Sequence, residues 1–180
     1  MMPANQNFIQ KLLNAFNEFA RQKIVAKNEF LIREGQIEKN IFYIETGAVR
    51  VFRLSGAEEQ TIRFGYPGSF INSLYSFIKE TPSDFYIEAI RKTTVRIMQK
   101  ESFLKLAYEN NESLMQYTQL LENLVTQQIE REIDLLTDSP SERLHRVLSR
   151  SPNLFQQIPL KYIASYLRMS PETLSRIRNS

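Results

Sequence analysis

Short apolar segments, separated by glycine-containing turns, fill much of the first half of the chain. All five glycines lie within residues 35–68, at intervals of up to 12 residues. The segments between them are rich in β-branched and aromatic side chains, which favour strands. This spacing predicts an antiparallel sheet folded into a barrel or a sandwich. The predicted strands lie in NEFLIREG, NIFYIETG, AVRVFRLSG and EEQTIRFGYPG.

Strand pairs are predicted at three places. The segments YIETGAVRVF and FRLSGAEEQTIRF have the pattern of β-hairpins. In each of them a glycine would supply the positive φ angle that the turn requires. A further strand pair is expected in DFYIEAIRKT and TVRIMQK.

Helical periodicity replaces this pattern on both sides of the predicted sheet. Residues 8–20 repeat apolar side chains at helical spacing, which predicts a leading helix. Residues 111–138 contain neither glycine nor proline, and we expect one helix of about 26 residues and roughly 39 Å there. The segment DSPSERLHRVL then breaks the pattern, and Ser141 is expected to cap the next helix.

The long helix carries apolar residues at a spacing close to that of a coiled-coil seam. Pairing with a second copy across a two-fold axis is the favoured interpretation, and packing on its own domain is the alternative. The seam comprises Leu114, Tyr117, Leu121 and Leu124, whereas Val125, Ile129, Ile133 and Leu136 drift away from it.

The last 22 residues, PLKYIASYLRMSPETLSRIRNS, contain two apolar-striped segments joined by a turn. Leu160, Ile163 and Leu167 mark one face of a first helix. Ser170 followed by Pro171 is typical of the start of a second helix. The outer face of that helix carries side chains suited to base edges and phosphates, so it favours DNA recognition over a hairpin that merely closes the fold. These side chains are Glu172, Thr173, Ser175, Arg176 and Asn179.

Charge is distributed unevenly along the chain. The whole sequence has a net charge of +3. Residues 139–180 hold seven basic residues and two acidic ones, so their net charge is +5 and that of the remainder is −2. A near-neutral body with a basic tail suggests a polyanionic partner, although a solvated basic face would have the same composition.

Residue usage argues against several classes of protein. The chain has no cysteine, which excludes disulfides, thiolate metal sites and cysteine-bound iron–sulfur clusters. It has one histidine, His145, which is expected to face solvent, and it has neither a phosphate-cradling glycine loop nor an HExxH motif. We therefore expect no enzyme, no catalytic residues and no metal site. No apolar run reaches the roughly 20 residues of a membrane span, and we expect a cytoplasmic protein with no membrane partner.

The order of these parts resembles the Crp/Fnr family of bacterial transcription regulators. The block GQIEKNIFYIETGAVRVFRLSGAEEQTIRFGYPGSF is similar to the family's cyclic-nucleotide-binding β-roll, and the tail is similar to its DNA-reading motif. The sequence of the tail is most similar in type to the Crp-like proteins of Bacteroidetes. The resemblance implies that Ser170 and Thr173 contact phosphates and that Glu172 and Arg176 read bases. Arg168 stands where the family has a turn glycine, and Pro171 where a base-reading arginine often lies. The implied DNA-binding residues are Arg168, Ser170, Pro171, Glu172, Thr173, Ser175, Arg176 and Asn179.

The predicted effector pocket departs from the family's nucleotide-binding pattern. Ser73 replaces the glutamate that holds the ribose, and Ser83 and Asp84 stand where an arginine would hold the cyclic phosphate. A phosphate without a guanidinium is poorly held. We therefore expect no certain cofactor, and an effector other than cyclic AMP, either uncharged or cationic, or none. By position the pocket comprises Gly68, Phe70, Ile71, Asn72, Ser73, Leu74, Pro82, Ser83 and Asp84.

These observations predict an α+β fold with three parts. Residues 1–110 would form an antiparallel β-roll (a double-stranded β-helix, jelly-roll-like) with flanking helices, which acts as the sensor. Residues 111–138 would form a long dimerisation helix, and residues 139–180 a helix-turn-helix DNA-binding domain. The predicted function is a homodimeric, sequence-specific transcription regulator whose partners are double-stranded DNA, a second copy and, as the resemblance implies, RNA polymerase. The alternative is a ligand-binding β-roll whose helical tail contacts protein instead of DNA.

Overall fold

Eight strands build the first half of the molecule. The computed structural model describes residues 10–16 and 20–179. The strands form two four-stranded antiparallel sheets, and together they make the β-roll that the sequence predicted. The strands are β1 (Arg21–Val25), β2 (Phe30–Ile32), β3 (Asn40–Thr46), β4 (Val49–Ser55), β5 (Glu58–Gly65), β6 (Phe70–Ile71), β7 (Tyr86–Ala89) and β8 (Thr93–Gln99).

The two sheets bury their inner faces against each other. One sheet has the strand order β1-β8-β3-β6 and the other β2-β7-β4-β5. Because side chains alternate between the two faces of a strand, every second apolar residue points into the roll. Val25, Ile44, Val49, Ile87 and Val95 are completely buried there. This core is independent of the helices that follow it.

One of the three predicted strand pairs is confirmed, and two are wrong. Strands β4 and β5 form the expected hairpin, with Gly56 at a φ of 62°. Strands β3 and β4 instead lie in different sheets, as do β7 and β8. Gly47, at a φ of 87°, carries the chain between sheets, and a Cβ there would lie 2.5 Å from Thr93 Oγ1. Alternating polarity identifies strands, but it does not specify which strands are neighbours.

Eight helices occur in the described part of the chain, and the long one ends close to its predicted limits. Residues 10–16 are helical (α1) and Ala20 is not; the rest of the predicted leading helix, residues 8, 9 and 17–19, lies outside the described residues. None of the described helices is long and apolar enough to span a membrane. The helices that follow α1 are α2 (Leu74–Lys79), α3 (Lys100–Ala107), α4 (Asn111–Leu136), α5 (Pro140–Arg150), α6 (Leu154–Gln157), α7 (Leu160–Tyr166) and α8 (Pro171–Arg178).

The caps of the later helices explain their boundaries. The side chain of Asn110 accepts a hydrogen bond from the N–H of Ser113 at 2.8 Å, which starts α4. The expectation that Ser141 caps α5 is wrong. Ser139 is the N-cap, and Pro140 occupies the first turn, where its missing N–H costs nothing.

The carboxyl-terminal helices share a second core with the β-roll. Leu144, Ile163 and Leu174, on α5, α7 and α8, are buried together. Ala48 and Ile90, from the loops that connect the two sheets, belong to the same cluster. The helices therefore pack against the end of the roll where the chain crosses between sheets.

Candidate nucleic-acid interface and effector cavities

Helices α7 and α8 are joined by a tight turn whose geometry follows from its residues. Arg168 adopts a left-handed conformation, with a φ of 54°, which costs a non-glycine residue about 1 kcal/mol. Ser170 caps α8 by accepting a hydrogen bond from the N–H of Thr173 at 3.2 Å, and Pro171 follows in the first turn. The predicted cap and proline position are confirmed, so the sequence alone sets where α8 begins.

The outer face of α8 is polar and accessible to solvent. Glu172, Arg176 and Asn179 are exposed, whereas Leu174 is buried against α7. The N–H of Glu172 itself and the Ser170 hydroxyl lower the pKa of the Glu172 carboxyl, which therefore stays ionised. This face offers one anionic and one cationic group. The remaining predicted contacts follow the same helix end, with Arg168, Ser170 and Pro171 exposed and with Thr173 and Ser175 half-buried.

Part of the basic charge of the tail is used inside the molecule. Arg143 donates to the carbonyl oxygens of Thr137 at 2.9 Å and Leu167 at 2.5 Å. Arg146 and Arg150 both pair with the buried carboxylate of Asp134 on α4. Three of the seven basic residues thus hold the tail to the long helix. Less of the tail's positive charge is therefore available at the surface than its sequence net charge of +5 suggests.

The remaining basic residues lie on the outside of the tail. His145 is exposed, as predicted for a solvent-facing residue. Besides Arg150, the exposed Lys and Arg residues of the tail are Lys161, Arg168, Arg176 and Arg178.

Helix α7 docks on the hairpin of β4 and β5. The Ser165 hydroxyl accepts a hydrogen bond from the N–H of Thr61 and donates one to the carbonyl of Glu59. The buried guanidinium of Arg50 lies over the ring of Tyr162, with its Cζ 4.4 Å from the ring centroid. The β-roll and the tail are therefore in direct polar and aromatic contact.

The residues predicted for the effector pocket differ in burial and in their surroundings. Ser73 and Ser83 are both buried, and their hydroxyls lie 2.7 Å apart, in hydrogen-bond contact. Phe70 and Ile71 line a cleft that Ser73 and Ser83 do not line. Of the others, Asn72 and Leu74 are half-buried, and Gly68, Pro82 and Asp84 are exposed.

A buried carboxyl lies beside these serines, and no pattern in the sequence predicted it. Glu38 is 1% exposed. Its Oε1 accepts a hydrogen bond from the N–H of Asn40 at 2.9 Å, and within the described residues Oε2 has no partner. Burial raises the pKa of this carboxyl to about 7, although the nearby N–H groups of Asn40 and Ser73 lower it. An acid at this position disfavours a phosphate nearby.

A cavity lies between the β-roll and the long helix. It has a volume of about 710 Å³, and residues of β5, β6, α4 and α7 line it. Arg63 and Arg131 face it from the roll and from α4. Nowhere in the described ranges do three or more His, Cys, Asp or Glu side chains form a group that could hold a metal ion.

The β-roll matches one known protein-family model. Residues 22–110 match the family model of the cyclic nucleotide-binding domain. No curated protein sequence matches the chain.

Several solved structures share the fold over almost the whole chain. FixK2 from Bradyrhizobium japonicum is 22% identical, with a TM-score of 0.75 over 89% of this chain and 83% of its own. A CooA mutant from Carboxydothermus hydrogenoformans is 18% identical, with a TM-score of 0.73 over 95% and 82%. The catabolite activator protein of Thermus thermophilus is 21% identical, with a TM-score of 0.58 over 94% and 81%. Residues 22–110 are therefore similar to a cyclic nucleotide-binding domain, and the chain shares the fold of FixK2, CooA and the catabolite activator protein.

Proposed function

We propose that this protein is a homodimeric, sequence-specific DNA-binding regulator of transcription, in which α7 and α8 form a helix-turn-helix. The observation that carries the proposal is the capped helix α8, which presents Glu172 and Arg176 to solvent. Arginine reads guanine and glutamate reads the amino group of cytosine in the major groove. Helix α8 would be the recognition helix, with its amino-terminal residues nearest the bases.

The exposed apolar residues of α4 support a dimer. Val125 is 59% exposed, Ile129 51% and Leu136 81%. They lie on the same side of a 26-residue helix at spacings of four and seven residues. Covering this side with a second α4 would bury them, and a two-fold axis would then present two recognition helices to successive major grooves, about 34 Å apart. RNA polymerase is the further partner that such a regulator implies.

The sensor position of this regulator lacks the contacts that a cyclic phosphate needs. Ser73 and Ser83 bind each other, and the Glu38 carboxyl lies nearby. Neither hydroxyl offers the charge of a guanidinium. Cyclic AMP is therefore not the effector at this position. A thermal-shift measurement in which micromolar cyclic AMP clearly stabilised the protein would contradict this assignment.

Selection of binding sites from random duplex DNA, followed by fluorescence anisotropy, tests the DNA-binding function. We expect a two-fold symmetric consensus and an affinity that falls steeply as salt rises, because bound phosphates release counterions. Arg176→Ala should change the preferred bases, and Arg21→Ala, an exposed arginine on the first strand, should leave them unchanged. Unchanged base preference in Arg176→Ala would remove the readout assignment. If no duplex is bound at low salt, the tail is instead a protein-contact surface, the alternative function.

A further inference from the structure

The exposed side of α4 carries four residues that are spaced by seven positions. Seven residues come within about 20° of two full helical turns, so residues at this spacing lie along one side of a helix. All four are exposed to solvent, and three of them are apolar. These residues, which we call the heptad column, are Met115, Glu122, Ile129 and Leu136. Glu122 is therefore a charged residue within an otherwise apolar column.

The other side of α4 is occupied by its own chain. Leu120 and Leu124 line the cavity toward the β-roll, and the Tyr117 ring lies 5.5 Å from the ring of Phe103 on α3, centroid to centroid. These contacts hold α4 and leave the heptad column uncovered. In a parallel pair of helices, residues that repeat every seven positions lie next to the same residues of the second helix. A second copy of this chain is therefore the occupant that the spacing fits.

The charges of α4 leave Glu122 without a counter-charge on its own helix. Five acidic residues and one basic residue, Arg131, lie on this helix. Arg131 lines the cavity toward the β-roll, where its guanidinium stacks on the Tyr166 ring with Cζ 3.7 Å from the ring centroid. Glu130 and Asp134 pair with arginines of α5. Within residues 10–16 and 20–179, Glu122 itself forms no ion pair.

We propose that Glu122 meets its own copy in the α4 pair, and that the two carboxylates oppose assembly and so set the protein concentration at which the dimer forms. Like charges that face each other across an interface weaken association. A polar residue in a heptad column also specifies which residues face each other, at a cost in stability. The inference rests on the proposed dimer. Because a two-fold DNA site is read by a dimer, a weaker pair would make DNA occupancy depend more steeply on the amount of protein.

Glu122→Gln tests the charge, because glutamine keeps the size of the side chain and removes its ionised group. This variant should dimerise about tenfold more tightly than the parent, or more. Added sodium chloride should strengthen the parent dimer more than the variant dimer, because salt screens the repulsion. Sedimentation velocity of the full chain without DNA, over a range of protein and salt concentrations, measures both effects. Glu101→Gln removes an exposed acid from α3 instead, and it should dimerise as the parent does.

A mixture of the parent and Glu122→Lys tests whether the two positions face each other. Two lysines would again place like charges together, whereas a mixed dimer would pair one lysine with one glutamate. With an affinity tag on one of the two proteins, native mass spectrometry counts the three kinds of dimer. We expect the mixed dimer to exceed the share of about half that random pairing gives. The parent mixed with Glu101→Lys should remain at the random share.

Several outcomes would overturn the proposal. One is a random share of mixed dimers for Glu122→Lys, and another is that Glu122→Gln dimerises no more tightly than Glu101→Gln. A chain that stays monomeric both as the parent and as Glu122→Gln would also contradict it, because the column without its charge should pair. If the Glu122 variants behave as the parent does while Ile129→Glu dissociates the dimer, α4 remains the dimer helix and only the role of Glu122 is wrong.

Discussion

The Ser165 hydroxyl accepts a hydrogen bond from the N–H of Thr61 at 3.1 Å, and it thereby joins the tail to the edge strand of the β-roll. Strand β5 is the last strand of its sheet, so its outer backbone groups have no neighbouring strand to bind. Ser165 satisfies two of them, because it also donates to the carbonyl of Glu59 at 2.9 Å. The Ser165 side chain therefore satisfies two backbone groups that a neighbouring strand would otherwise bind.

Ser165→Ala should lower the free energy of unfolding by about 1–2 kcal/mol, because two backbone groups at this contact lose their partner. Urea unfolding followed by circular dichroism measures the change. Ser149→Ala is the control, since the Ser149 hydroxyl is exposed and bonds only the carbonyl of His145 in its own helix. Equal stability of the Ser165 variant and the control would show that the contact does not hold the tail.

Asp134→Asn should lower the free energy of unfolding by roughly 1.5–3 kcal/mol, because the charged hydrogen bonds to Arg146 and Arg150 are lost. The Asp134 carboxylate is fully buried and pairs with Arg146 and Arg150, so it fastens α5 to the end of α4. Glu132→Gln, on an exposed position of the same helix, should change stability by less than about 0.5 kcal/mol. The urea concentrations at the unfolding midpoints of the two variants measure this difference. Similar midpoints would contradict a structural role for the pairing of Asp134 with Arg146 and Arg150.

Elements whose limits depend on local chemistry could be predicted from the sequence. Ser170 and Pro171 indicated the start of α8. The length of α4 could be predicted because its segment contains neither glycine nor proline. The pairing of strands depends instead on contacts distant in sequence. Gly47 looked like a hairpin glycine, yet it sends the chain to the other sheet, because the close approach of Thr93 is invisible in a local pattern.

The candidate sites show the same division. The polar face of α8 follows from helical periodicity, so its residues could be named in advance. The internal use of Arg143, Arg146 and Arg150 could not, because charge counted along a sequence carries no information about pairing. Arg63 on β5 and Arg131 on α4 line the same cavity although they are 68 positions apart in the sequence. Neither arginine lies in a motif, so no local pattern indicated that they are close to one cavity.

Ile129→Glu should convert the proposed dimer to a monomer. A carboxylate placed opposite its own copy near a two-fold axis must be buried beside a like charge, and we expect dimerisation to weaken by about a hundredfold or more. Sedimentation velocity over a range of protein concentrations measures this. Asn123→Glu, an exposed position of the same helix away from the apolar side, is the control. If both variants sediment as the parent does, α4 is not the dimer helix.

Glu38→Gln should stabilise the protein above neutral pH and have little effect in acid. Burial raises the pKa of Glu38 from 4.5 to about 7, so the folded state holds this proton more tightly than the unfolded chain does. Stability from Glu38 is therefore fully present below about pH 4.5 and is lost as pH rises to about 7. At pH 8 the ionised carboxyl is buried in the folded state, and the full penalty applies.

The difference between the parent and Glu38→Gln isolates this effect from every other titrating group. Glutamine keeps an oxygen that can accept the hydrogen bond from the N–H of Asn40. From pH 5 to pH 8 the variant should gain on the parent by roughly 2.5 kcal/mol in urea unfolding, because a tenfold change in proton affinity is worth about 1.4 kcal/mol. Glu101→Gln, an exposed acid on α3, should show no such gain. A difference between Glu38→Gln and the parent that stays constant across this range would mean that the carboxyl ionises normally inside the fold.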